Sequence, residues 1–208
     1  RTSPIDRGNL NRSFPGRPDG TVTEKIADYV TRHLIPLADI VLDFHSGGKT
    51  LDFLPYAAAH ELTDKVQEAR CFEAVAAFSA PYSMKMLEID AVGMLDTTAE
   101  EMGKVFVTTE LGGAGTASAR SIEIARAGTL NLLRHAGILA GAPEIRQTRW
   151  LDMPSSDCFT FAEDDGLVAF RRDLGDPVAT GDVIARVYPV SRTGVPPIDY
   201  RAAMDGVL

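Results

Sequence analysis

The spacing of apolar and polar positions changes along the chain, and each change marks an element. Ile40-Val41-Leu42-Asp43-Phe44-His45 is mostly apolar with β-branched residues first, which predicts a strand covered on both faces. It runs into Ser46-Gly47-Gly48, where paired glycines break the strand and let a backbone approach a ligand. Lys104 to Glu110 alternates, with Val105, Val107 and Thr109 on one side, and it too meets a Gly-Gly turn, Gly112-Gly113. Shorter strands are expected over 51–59 and 83–89, with Met84 and Met86 on one face of the second. Between the strands the apolar spacing is three to four residues. It predicts helices over 23–34, capped by Thr23 and ended by Pro36, over 62–79, and over 118–136, closed by Gly137. Thr98-x-x-Glu101 reads as a capping box that opens a short helix closed by Gly103.

Alternating strands and helices imply an α/β protein, a three-layer α/β/α arrangement around a largely parallel or mixed sheet. Beyond Gly141-Ala142-Pro143 the pattern turns to short strands with tight Gly-Asp turns, most plainly over 164–187. The expected division is a catalytic domain over 1–143 and a small all-β domain over 144–208. Asp205-Gly206-Val207-Leu208 looks like Asp165-Gly166-Leu167-Val168 starting again. The chain opens in loop chemistry without a methionine and stops at the start of a strand pattern. Both ends are therefore expected to be cuts through a longer protein, leaving each domain partial.

Composition narrows the partners. Acidic side chains outnumber basic ones, 29 to 21, which disfavours nucleic acid. No apolar run approaches a membrane span, and no signal peptide pattern is visible. Cys71 and Cys158 lie far apart and outside any metal-ligand spacing, so reduced thiols in a cytoplasmic protein are expected. The expected partner is a small molecule, with no nucleic acid and no membrane; assembly into a homo-oligomer stays open.

Candidate chemistry sits at the strand ends. Two strands finish in an ionisable residue followed by a Gly-Gly turn, His45 and Glu110. As parallel neighbours they would meet at one sheet edge, at the carboxyl ends where α/β folds place ligands. Histidine can hold a metal, and a nearby glutamate can take a proton from water bound to it. Each also has a plainer reading, a satisfied strand-end histidine and a helix-capping carboxylate. In the loop over 1–22, Asn11 and Arg12 follow Arg1 and Arg7; a guanidinium beside an amide suits a carboxylate, and the same residues also describe a solvated loop. The run Gly47-Gly48-Lys49-Thr50 invites a phosphate loop, but the motif needs glycine where Asp43 stands, and a carboxylate there repels phosphate.

NLNRSFPG (9–16), DFHSGG (43–48) and TTELGG (108–113), in that order and followed by a small β domain, resemble the succinylglutamate desuccinylase and aspartoacylase family. These are zinc amidohydrolases with a carboxypeptidase-like fold. Within the family the chain is most similar to the branch that deacetylates N-acetyl-diaminobutyrate in ectoine breakdown. The resemblance implies zinc-dependent hydrolysis of the amide of a small N-acyl amino acid. It implies His45 as a zinc ligand, Glu110 as the catalytic glutamate, and Asn11 and Arg12 as the pair on the substrate carboxylate. An upstream arginine polarises the scissile carbonyl, and Arg1 is the choice here, with Arg7 as rival. The family's zinc also takes a His-x-x-Glu pair. None occurs here, since His33, His45, His60 and His135 are followed three residues on by Pro36, Gly48, Thr63 and Ile138. The remaining ligands are expected upstream of residue 1, and this stretch by itself is expected to be inactive. The alternative is a non-catalytic carboxypeptidase-like domain that binds a ligand or partner through the Asn11-Arg12 loop.

Overall fold

The computed structural model describes residues 2–88 and 90–208, and the chain divides into two units, Arg1–Asp152 and Met153–Leu208. In chain order the first unit holds α1 (Val22–Tyr29), β1 (Ile40–His45), β2 (Tyr56–His60), α2 (Lys65–Phe78), β3 (Tyr82–Met86), α3 (Leu95–Glu101), β4 (Val105–Glu110), α4 (Ala119–His135) and β5 (Arg149–Asp152). Its five strands form one sheet in the order β1-β4-β2-β3-β5. β1 and β4 run parallel; β2 is antiparallel to β4, and β3 and β5 follow the direction of β2. The division falls after Asp152, not at 143/144, because Arg149–Asp152 pairs with β3 and so completes the first unit's sheet.

Period-two alternation gives the sheet two apolar faces. Val105 and Val107 of β4 and Ala57 and Ala59 of β2 pack with Val75 and Phe78 of α2 and Leu132 of α4. On the other face Val41 of β1 and Phe106 of β4 pack with Ile35 and with Ala99 of α3. This is the three-layer mixed α/β arrangement that the alternation of periods implies.

Helix starts are where local pattern misleads. α1 is capped by Thr21, whose hydroxyl accepts from the Glu24 N–H while the Glu24 carboxylate accepts from the Thr21 N–H. Thr23, the expected cap, bonds instead to Asp6 through its N–H and its hydroxyl, each at 2.7 Å. The helix continues as one π-helical turn, Val30–Leu34, and a 3-10 turn, Ile35–Leu37, that takes in Pro36. Thr98 lies inside α3, which starts at Leu95 with no side-chain cap; its hydroxyl donates to the Met94 carbonyl at 2.9 Å. β2 begins at Tyr56, since Pro55 supplies no N–H for a ladder just before it. β3 ends at Met86, and residue 89, where the pattern placed the strand's end, lies outside the described residues.

The second unit holds β6 (Leu167–Phe170), β7 (Pro177–Val178), β8 (Val183–Tyr188), β9 (Ile198–Arg201) and β10 (Gly206–Val207). β6, β8 and β9 form an antiparallel sheet, and β7 pairs with β10. The two look-alike segments thus take different partners: β6 pairs with β8, β10 with β7. Among the described residues no helix is long and apolar enough to cross a membrane.

Candidate active site

β1 and β4 pair in a register that sets His45 directly opposite Glu110. Val41 and Phe106 face the α3 layer, so two- and four-residue steps along each strand put Asp43, His45, Thr108 and Glu110 on that same side. The imidazole and the carboxylate therefore face one space. The two turns that follow are tied together: the Gly47 N–H donates to the Gly112 carbonyl at 2.9 Å, the Leu111 N–H to the His45 carbonyl at 3.0 Å, and the Ala114 N–H to the Leu51 carbonyl at 2.8 Å. A Cβ on Gly47 would lie 2.3 Å from the Leu51 carbonyl oxygen, and one on Gly113 2.1 Å from it. These two glycines serve turn-on-turn packing; of the Gly47-Gly48 pair expected to admit a ligand, Gly47 packs on the Leu51 backbone and a Cβ on Gly48 would meet nothing within 4 Å. The segment after Lys49-Thr50 leads to β2 and not to a phosphate-cradling helix.

The electrostatics of the edge are unbalanced. His45 Nε2 lies 2.7 Å from Asp43 Oδ2. That hydrogen bond raises the His45 pKa above its ordinary value; burial opposes it, and the charges of Asp43, Glu110 and Asp96 add to it. Among the described residues Nδ1 has no hydrogen-bond partner. Burial pushes the Glu110 carboxyl up to about 7, with His45 opposing and Asp43 adding. Glu110 Oε2 is buried and has no hydrogen-bond partner among the described residues, a condition that costs about 1–3 kcal/mol and calls for an explanation. Tyr56 stands opposite Glu110 on β2, and burial, then the Glu110 charge, raise its hydroxyl above the ordinary range. Asp43 escaped the sequence reading as a site residue, although its position two before His45 on one strand face was a usable signal. Tyr56 and Asp96 gave none, because strand order cannot be read locally.

Asn11 and Arg12 lie in a 3-10 turn, Leu10–Arg12, capped by the side chain of Asn9. The loop is held to α1 by the Asp6 carboxylate, which accepts from the Thr23 N–H and hydroxyl and from the Gly8 N–H; these bonds hold its carboxyl well below the usual range. Asn11 Oδ1 accepts from the Leu95 N–H at 2.8 Å, at the start of α3, and the next residue, Asp96, is close enough for its charge to act on His45. The Arg12 guanidinium meets Asp90 at 3.3 Å and lies against the Met94 sulfur. Arg7 is exposed, with its N–H donating to the Ser3 carbonyl. Arg1 lies outside the described residues.

A second histidine faces the same layer from β2. His60 Nδ1 is 3.2 Å from both carboxylate oxygens of Glu100, and Nε2 is 3.8 Å from Glu88. The three hold ligand atoms within 4.8 Å of one another, a spacing that would also suit a metal. Both ring nitrogens already face a carboxylate, which suits an imidazolium. Burial works against that charge; Glu100, Glu88 and Asp96 more than offset it, so the His60 pKa is raised. Among the described residues the His45 edge is the less compensated of the two: neither its Nδ1 nor the Glu110 Oε2 has a partner, whereas His60 has a carboxylate within ion-pair range of each ring nitrogen. His45 Nδ1 is open with Nε2 fixed by a carboxylate, the arrangement of a metal-binding imidazole, beside a buried carboxylate oxygen without a partner. These residues fit a zinc ion as one ligand and one neighbouring base, and a catalytic zinc needs further ligands besides.

Residues 1–136 match the family model of the succinylglutamate desuccinylase/aspartoacylase catalytic domain. The whole chain is 53% identical to 61% of the N-alpha-acetyl-L-2,4-diaminobutyric acid deacetylase of Halomonas elongata. It superposes with a TM-score of 0.96 on the product-bound ectoine utilization protein EutE (DoeB) of Ruegeria pomeroyi, at 64% identity over 100% of this chain and 63% of that one. A succinylglutamate desuccinylase from a Silicibacter species gives a TM-score of 0.93 at 61% identity, over 100% of this chain and 63% of that one. The chain thus spans less than two thirds of the length of these relatives.

Proposed function

Because this chain belongs to the succinylglutamate desuccinylase/aspartoacylase family, we propose that the protein containing it hydrolyses the amide of a small N-acyl amino acid. An N-acetylated diamino acid, as named for the Halomonas relative, is the favoured substrate. The observation that carries this reading is the buried, unpartnered Glu110 Oε2 opposite a histidine whose Nδ1 is open.

His45 Nδ1 would hold a zinc ion together with ligands from outside this chain. Zinc bound there supplies an acidified water and a positive charge for the scissile carbonyl. Asp43 holds the imidazole by Nε2 and so keeps Nδ1 turned outward. Glu110 accepts the proton of the attacking water and returns it to the leaving amine; a carboxyl lifted to about 7 by burial can do both near neutral pH. Arg12 grips the substrate carboxylate, and Asn11 bonds the start of α3 and so keeps that loop at the site. An upstream arginine, Arg1 or Arg7, stabilises the developing oxyanion. We assign the chemistry to the first unit.

The test is Glu110→Gln in the full-length, zinc-loaded protein. Turnover should fall by about a thousandfold, the middle of the range for removing a general base, with zinc content unchanged. Near-normal turnover would refute the mechanism.

A further inference from the structure

Resting on the hydrolase reading above, we infer that Asp90 is the specificity-determining acid that reads a cationic side chain on the substrate. An amino acid with a second amine presents a carboxylate and an ammonium group a few bonds apart. The site needs an anion beside its carboxylate-binding arginine, and several acids are candidates. Asp43 is committed to His45 at 2.7 Å. Glu100 is buried against His60, and Glu88 faces the same imidazole and accepts from the Asp90 N–H at 2.8 Å. Asp96 is buried and accepts from the Thr97 N–H beside it at 2.7 Å.

Asp90 differs from these. Its carboxylate meets the Arg12 guanidinium at 3.3 Å, and both side chains are about half exposed, 50% and 48%. An ion pair this open is weak, so a ligand can exchange it at little cost. A ligand carboxylate on Arg12 and a ligand ammonium on Asp90 replace one protein–protein pair by two protein–ligand pairs of the same charges. The segment carrying Asp90 is held in place for this. The Glu88 carboxylate fixes the Asp90 backbone, the Gly93 carbonyl accepts from the Phe14 N–H at 3.0 Å, and the Leu95 N–H donates to Asn11 Oδ1. Residues 90–95 are thus a strap laid on the Arg12 loop, with the half-exposed Asp90 carboxylate beside the guanidinium.

The experiment uses the full-length, zinc-loaded enzyme with two substrates, N-acetyl-2,4-diaminobutyrate and its neutral analogue N-acetyl-2-aminobutyrate. The readout is the ratio of their kcat/KM values. Asp90→Asn should lower the preference for the cationic substrate by at least about tenfold, and Asp90→Glu should restore most of it. An unchanged ratio, including a parallel fall for both substrates, overturns the assignment and leaves Asp90 as a support for Arg12. So does a loss of preference produced by Asp96→Asn and not by Asp90→Asn. A wild type that hydrolyses neither substrate overturns the hydrolase reading itself, an outcome distinct from all of these.

Discussion

His45 and His60 lie on the same face of one sheet, His45 on the outer strand β1 and His60 at the far end of the central, antiparallel strand β2, and their surroundings differ in one respect. His60 ends β2 with a carboxylate at each ring nitrogen and a side chain only 5% exposed. His45 ends β1 with one nitrogen held by Asp43 and, among the described residues, the other open and a buried oxygen of Glu110 across from it without a donor. Both clusters have residues of metal-binding type, and the His60 group has the tighter spacing. Spacing alone would choose the His60 corner. Charge compensation separates them: His60 has a carboxylate within ion-pair range of each nitrogen, which stabilises the fold, and the uncompensated His45–Glu110 edge is the better candidate for binding something else.

That contrast can be broken by substitution, and the largest effect should come from the closed corner. Glu100→Ala leaves a buried imidazolium with half its partners and should destabilise the protein by about 3 kcal/mol in urea unfolding, while the folded fraction keeps kcat/KM within about twofold. A variant that instead loses activity without losing stability would make the His60 corner a site. The next effect belongs to the open edge. Asp43→Asn removes the carboxylate behind His45 and should weaken zinc binding by about 10–100-fold in a chelator competition, with little change in urea midpoint.

The smallest effect is the pH response of the closed corner. The His60 pKa is raised in the folded state, because Glu100, Glu88 and Asp96 outweigh burial. Its contribution is therefore complete below the unfolded value of about 6.5 and is lost as pH rises through the folded one. His60→Gln should lower the melting temperature more at about pH 6 than at about pH 9. Equal losses at both would show an uncharged histidine.

The chemistry-bearing strands were legible because both carry short-range signals: apolar β-branched runs, period two, and a Gly-Gly stop after His45 and Glu110. Their pairing needed only that neighbouring strands be parallel. Helix starts were less legible. Thr23 and Thr98 have the right residue type for caps, but Thr23 is drawn to Asp6, seventeen residues earlier, and Thr98 sits one turn inside its helix. The strap was invisible in the sequence, since Arg12 and Asp90 lie 78 positions apart and nothing local joins them. Tyr56 was hidden for a similar reason: its place opposite Glu110 depends on β2 running against β4. For Gly47 the sequence could not name the neighbour, because it cannot tell a backbone approached by a ligand from one approached by another turn.

The bolted turns after β1 and β4 have an evolutionary corollary. Main-chain bonds and two glycines fix the separation of His45 and Glu110, so drift in nearby side chains leaves this pair in place. The 90–95 strap joins that edge through a neighbouring loop and, among the described residues, shares none of those bonds. A change in its side chains therefore leaves the bonds that set the His45–Glu110 pair untouched.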